Sequence, residues 1–159
     1  MRTDGDRIVR EKALTLSHGL AAHWERTLGD DLLGCYLLGS LAHGGFSRRY
    51  SDVDIGLISQ VPLRDKDLEA MRSTALSLSP DLATRVSLFW TDRTFAIGRF
   101  PLLDRLDYLD HSIALFEREI VRPDRPTLEN VRSFLSGGPF ENWSRNAKKF
   151  VARETLEPE

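Results

Sequence analysis

Leu32 to Leu38 is an apolar stretch broken only by Gly34, and it ends abruptly in Gly39-Ser40. An apolar run of this length closed by a turn signal reads as a buried strand. A short glycine-containing turn and a polar connection, Leu41 to Tyr50, lead to a second strand that opens with Ser51-Asp52-Val53-Asp54. Side chains on a strand alternate between faces, so Asp52 and Asp54 point the same way, about 7 Å apart along the backbone. Two carboxylates at that separation can share or bracket a divalent cation. Gly39 lets a backbone approach a phosphate closely, and Ser40 offers a hydroxyl and an N–H where a helix can begin. Cation ligands on one strand and phosphate donors at the end of the next together describe a site for a metal-bound nucleotide.

The remaining chain supplies the elements that would cover such a sheet. Residues 6 to 28 carry Val9, Ala13, Leu16, Leu20, Trp24 and Leu28 at spacings of three and four, one stripe of an amphipathic helix. Asp4 or Asp6 can cap its start, and Gly29 lies past its end. His18 and His23, five residues apart, do not share a face as a metal-binding pair would. Asp65 to Leu78 reads as a second helix, with Leu68, Met71, Ala75 and Leu78 inward. A third strand spans Arg85 to Trp90. A helix from Arg99 to Asp110 carries the stripe Leu102, Leu103, Leu106 and Leu109, and a short strand, Ile113 to Phe116, closes the sheet. A helix from Leu128 to Leu135, capped by Thr127, stops at Gly137-Gly138-Pro139. A last helix is expected over Glu141 to Arg153, with Trp143, Ala147, Phe150 and Val151 on one side.

These elements give a single α/β or α+β sheet domain whose strand pairing the pattern alone does not settle. The fold class expected is α+β, a small mixed β-sheet with flanking helices. The connection between the first two strands is near the lower limit for a crossover, which favours mixed pairing. The expected organisation is a domain over residues 1–122 and a C-terminal helical extension over 123–159 packed on it. At 159 residues the chain is long enough to bury a core. A net charge of −2 gives no basic excess for gripping nucleic acid, so no template strand is expected. The lone Cys35 lies in an apolar strand and reads as a buried thiol. No apolar run approaches the roughly 18 residues of a membrane span. The N-terminal MRTDGDRIVREK lacks the apolar core of a signal peptide, so a cytoplasmic location is expected. His43-Gly44-Gly45 faintly resembles an esterase oxyanion loop, but no G-x-S-x-G elbow accompanies it. Arg48 and Arg49 are either polyphosphate contacts or solvated loop charges.

Gly39-Ser40 followed by Ser51-Asp52-Val53-Asp54-Ile55 resembles the signature of the DNA polymerase beta-like nucleotidyltransferase superfamily. More narrowly, the pattern is similar to the minimal nucleotidyltransferases, and the order of elements extends the resemblance over roughly residues 6 to 120. The resemblance implies transfer of a nucleoside monophosphate from a nucleoside triphosphate, with pyrophosphate leaving. It implies Asp52 and Asp54 as catalytic residues and as ligands of Mg²⁺, or Mn²⁺ in its place. It further implies Gly39 and Ser40 as nucleotide-binding residues on the β- and γ-phosphates. Some members of this type resemble antitoxins that modify or bind a helical toxin partner, others antibiotic-modifying enzymes. A helical toxin-type partner is therefore an implied companion, and a protein side chain or a small-molecule hydroxyl an implied acceptor. The apolar stripe over 141–153 can pack on the domain itself, the favoured reading, on a second copy or on such a partner.

Active members place a third carboxylate on the third strand, where Ser87 aligns here. Serine is neither an anionic ligand nor a base at neutral pH. Asp92, five residues on, falls on the opposite face unless a bulge intervenes, and Asp81 precedes the strand. Two readings follow. One is a nucleotidyltransferase whose metal site is completed by Asp92, a partner residue or the substrate. The other is a catalytically weak or inactive, antitoxin-like module that binds nucleotide or partner.

Overall fold

The computed structural model describes residues 4–136 of the chain. Helix α1, Asp4–Leu28, begins with two acidic residues in its first turn, which suit the positive end of the helix dipole. A single 3₁₀ turn, Gly29–Asp31, delivers the chain into strand β1, Leu32–Leu37, every residue of which is buried. Helix α2 is one turn, Gly39–Ala42, and strand β2 follows at Val53–Ser59. Helix α3, Asp65–Leu78, matches its expected bounds. Strand β3, Val86–Asp92, runs two residues further than expected. Gly98–Arg99 forms a two-residue strand, β4, so Arg99 belongs to the sheet rather than to helix α4, Leu102–His111. Strand β5, Ile113–Glu117, completes the sheet.

The strand order is β4-β3-β2-β1-β5. β2 and β3 are parallel, joined by the α3 crossover, and every other pairing is antiparallel. This is the mixed α+β sheet expected from sequence.

Strand alternation divides the core in two. Cys35 and Leu37 of β1 and Val53, Ile55 and Leu57 of β2 join Ala13, Leu16, Leu20 and Trp24 of α1 and Met71 and Ala75 of α3. Leu78, expected inward, is instead half exposed at the end of α3. Tyr36 and Ile58 face the other way, toward Phe95, Phe100 and Tyr108. Tyr108 is fully buried on α4, edge-on to Tyr36 at 4.7 Å between ring centroids, and its hydroxyl donates to the Val121 carbonyl. Burial of this kind pushes the Cys35 thiol well above its ordinary range, so it is an inert core residue.

The chain divides into two units, Met1–Arg125 and Pro126–Glu159. The second contains helix α5, Leu128–Ser136, whose Asn130 N–H donates to Thr127 Oγ1 at 3.1 Å, the cap expected from sequence. The last expected helix, Glu141 to Arg153, lies outside the described residues. Among the described residues no helix is long and apolar enough to cross a membrane.

Candidate active site

Because Val53, Ile55 and Leu57 enter the α1–α3 core, Asp54 and Gly56 must face the α4 side of the sheet. A Cβ at Gly56 would meet Phe100 and Leu38, two residues of that second core. Asp52, just ahead of β2, is exposed, whereas Asp54 is half-buried. The loop before them is tied down by a residue that sequence reading passed over. Arg85, preceding β3, donates to the Arg48 carbonyl at 2.8 Å and to the Ser51 carbonyl, and its guanidinium lies over the Phe46 ring. Arg48 and Arg49 themselves are exposed.

The Gly-Ser and Asp-x-Asp motifs meet at the end of β1. Gly39 has φ of 62°, and a Cβ there would stand 2.3 Å from Asp54 Oδ2. Only glycine permits both the left-handed backbone and the approach of that carboxylate. Ser40 lies half-buried beside it.

Helix α4 adds residues that its leucine stripe had masked. Gly39 N–H donates to Asp107 Oδ2 at 2.7 Å, and His43 Nε2 lies 2.5 Å from Asp107 Oδ1. The His43 and His111 rings meet edge-on at 4.8 Å. Burial, then the charges of Asp52, Asp104 and Asp107, push the Asp54 carboxyl from 3.8 up to about 6. Burial, then Asp107, also raise Asp104 to about 6. A signal for this was present in the sequence: Asp104, Asp107 and His111, at intervals of three and four, share one helix face.

This charge crowding has a measurable sign. A carboxyl whose pKa is raised on folding holds more protons folded than unfolded between the two values. Stability is therefore expected to fall as pH climbs from about 4 to about 6, and to stay level above, for Asp54 and Asp104. The loss is on the order of 3 kcal/mol for the pair, about half of what the two shifts alone convert to, because both carboxyls keep contact with solvent and titrate as a coupled pair. Asp67, Asp81, Asp92 and Asp110, whose carboxyls are lowered by hydrogen bonds, oppose it only below about pH 4. Urea unfolding of wild type and Asp54→Asn across this window checks the assignment. A wild-type fall no larger than the variant's would contradict it.

Ser87 is the cross-strand partner of Asp54 in the parallel β2–β3 ladder, so the position aligned with a third carboxylate does adjoin the acidic pair. Asp92 does not. It pairs with Ser59 at the far end of the strands, roughly 17 Å along β3 from Ser87. Its carboxylate accepts from Thr94 Oγ1 at 2.6 Å and from the Ala96 and Ile97 N–H groups at 3.0 Å each. Those three donors make Asp92 the organiser of the turn before β4, and its expected part in a metal site is corrected accordingly. Asp81 is bound to Ser79 Oγ and near Lys12, where α3 ends beside α1, and His18 and His23 lie on α1. These residues belong to the opposite side of the sheet from Asp54.

Among the described residues no three histidine, cysteine or carboxylate side chains are gathered as a ready metal-ligand set. The donor chemistry nevertheless suits a hard cation. Asp52 and Asp54 offer carboxylate oxygens, and burial followed by the charge of Asp52 raises Asp54, a cost that a bound divalent ion would relieve. Two protein ligands are also what Mg²⁺ takes when substrate phosphates and water fill its other positions.

No protein-family model matches the sequence, and no curated protein matches it. Solved structures do. Spectinomycin adenyltransferase AAD(9) from Enterococcus faecialis, with ATP and spectinomycin, aligns over 80% of this chain and 66% of its own, at 15% identity and a TM-score of 0.56. A toxin–antitoxin structure with AMP-PNP aligns over 92% of this chain and 97% of its own, at 16% identity and a TM-score of 0.43. A tri-AMPylated Shewanella oneidensis HEPN toxin in complex with MNT antitoxin aligns over 95% and 98%, at 14% identity and a TM-score of 0.38. The adenyltransferase alignment shows that the fold is of the nucleotidyltransferase type, as Gly39-Ser40 and Asp52-x-Asp54 led one to expect.

Proposed function

We propose that this chain transfers a nucleoside monophosphate from a magnesium-bound nucleoside triphosphate to a hydroxyl of a protein side chain or small molecule, releasing pyrophosphate. The observation that carries the reading is the contact between its two motifs: Gly39 approaches Asp54 so closely that no other residue type fits between them. Asp52 and Asp54 would hold Mg²⁺, or Mn²⁺, and the ion when bound would supply charge stabilisation for the oxygens of the transferred phosphoryl group. Gly39 and Ser40 would bind the outer phosphates and fix the triphosphate for in-line attack. Arg85 keeps Asp52 in reach by anchoring the carbonyl of the residue before it. A helical toxin-type protein, modified or only bound, is the partner that the sequence resemblance implies, and a second copy is the alternative partner.

Transfer of label from α-labelled ATP by the full chain, with Mg²⁺ or Mn²⁺ and source lysate, tests the reaction. Asp52→Asn is the control. Label that reaches an acceptor and disappears in the control supports a transferase and reveals the acceptor class. Label that never moves removes the reaction from consideration.

A second reading rests on Ser87, which stands beside Asp54 where a third carboxylate is expected. A site without that group can hold a metal-bound triphosphate yet lack a base toward the acceptor, which describes a weak or inactive binding module. Ser87→Asp separates the two readings. It is expected to raise transfer by at least an order of magnitude, toward the roughly 10²–10⁴ that a positioned base supplies. Unchanged or reduced transfer in this variant would mean that Ser87 is not the empty base position.

A further inference from the structure

The Gly39 N–H, which the proposed function assigns to a phosphate, already has an anion. Asp107 Oδ2 accepts from it at 2.7 Å, while Asp107 Oδ1 takes the His43 Nε2 contact at 2.5 Å. Two donors on one turn of chain thus converge on a single carboxylate delivered by α4. The Asp107 side chain is 20% exposed and that of His43 44%, so the contact lies at the mouth of the site rather than in the core. The edge-on His111 ring limits how far the imidazole can swing away.

Nothing about this placement favours a carboxylate for its own sake. Asp107 stands close enough to Asp54 and Asp104 for its charge to act on both. What holds it among like charges is the pair of donors. Charge-assisted bonds from a backbone N–H and an imidazole are the same bonds that phosphate oxygens seek.

We propose that Asp107 is an internal stand-in for a phosphate: triphosphate binding takes the Gly39 N–H and the His43 imidazole from it, which makes His43 a further triphosphate-binding residue. The proposal rests on the nucleotide reading above and adds a competitor built into the same site. The donors converge before any ligand arrives, so the exchange needs a rotation of the Asp107 side chain and no rebuilding of the turn. No covalent bond is made or broken in this step; two hydrogen bonds pass from the carboxylate to the phosphate. An anion of higher charge and more acceptor oxygens displaces one of lower charge.

The sign of one substitution decides it. Mg²⁺–ATP and magnesium pyrophosphate are titrated calorimetrically into the full-length wild type, Asp107→Ala, Asp107→Asn, His43→Ala and, separately, Asp54→Asn. If Asp107 competes, Asp107→Ala binds both ligands about tenfold tighter, the order of one charge-assisted hydrogen bond. Asp107→Asn tightens by a smaller factor, because its amide oxygen still accepts from Gly39 without the charge. His43→Ala weakens binding by about tenfold on the same scale. Weaker binding by both Asp107 variants would make Asp107 a ligand of the cation, and unchanged binding would make it a mere brace for the turn; either overturns the proposal. Should the alanine variant fail to fold, the near-isosteric asparagine carries the test. If wild type binds, Asp54→Asn does not, and the Asp107 variants bind no tighter, the nucleotide reading survives and the competitor alone falls. If no form binds either ligand, both fall together.

Discussion

Replacing Asp52 and Asp54 together by asparagine is expected to abolish Mg²⁺-dependent triphosphate binding while making the metal-free protein more stable at neutral pH. The two effects have opposite signs because the same charges do both jobs. Removing two anionic ligands, each worth about 1.5–3 kcal/mol in charge-assisted contacts, weakens binding by at least two orders of magnitude. The fold should gain on the order of 1–2 kcal/mol near pH 7, since the half-buried Asp54 is ionised there against burial and three neighbouring carboxylates. Calorimetric titration reads the first effect and urea unfolding the second. Unchanged affinity would remove Asp52 and Asp54 from the metal site. A large loss of stability would instead mean that these carboxylates are structural.

Gly39→Ala should be nearly as damaging to binding, for a reason that is steric rather than electrostatic. Its φ of 62° costs a side chain about 1–2 kcal/mol, and the new methyl would fall 2.3 Å from Asp54 Oδ2. That carboxylate must turn away, so one substitution displaces a proposed metal ligand and reshapes the phosphate turn together. A loss of at least a hundredfold in Mg²⁺–ATP affinity is expected, on the order of 3 kcal/mol. Gly29→Ala is the control: it shares the backbone strain, with φ of 55°, but its Cβ meets nothing within 4 Å. The control should lose stability and keep binding. Equal binding losses in the two variants would mean that strain, and not the Gly39–Asp54 approach, is responsible.

The sheet was legible because its strands are apolar enough to betray themselves. β1 is buried along its whole length, and Asp54 interrupts the apolar start of β2, which Asp52 immediately precedes. β4 was not legible, since two residues carry no period, and Gly98-Arg99 becomes a strand only by pairing with Trp90 and Thr91. Strand parity puts Asp92 on the face away from Asp54, as the unbroken β2–β3 register has it. It says nothing of the turn N–H groups that claim its carboxylate, so parity alone leaves Asp92 a candidate metal ligand. The α4 residues were missed for a different reason. Leu102, Leu103, Leu106 and Leu109 fit an inward stripe, and the stripe alone gives Asp104 and Asp107 no role. In the fold, Tyr108 is the buried anchor of that helix, and the acidic face turns toward Gly39. Periodicity finds the apolar side of a helix, but the partner of the polar side depends on contacts across the chain, such as the one from Gly39 to Asp107.

Strand β2 has a laddered neighbour on each side, antiparallel β1 and parallel β3, whereas α2 is a single turn. Amide hydrogens of β2 can therefore exchange with solvent only when the middle of the sheet opens, while those of Gly39 to His43 need only a local fluctuation. Asp54 thus sits on the stiff part of the candidate site and the Gly39 turn on the compliant part. A nucleotide arriving at the proposed site would meet donors already in place, on a turn that can open locally while β2 stays closed.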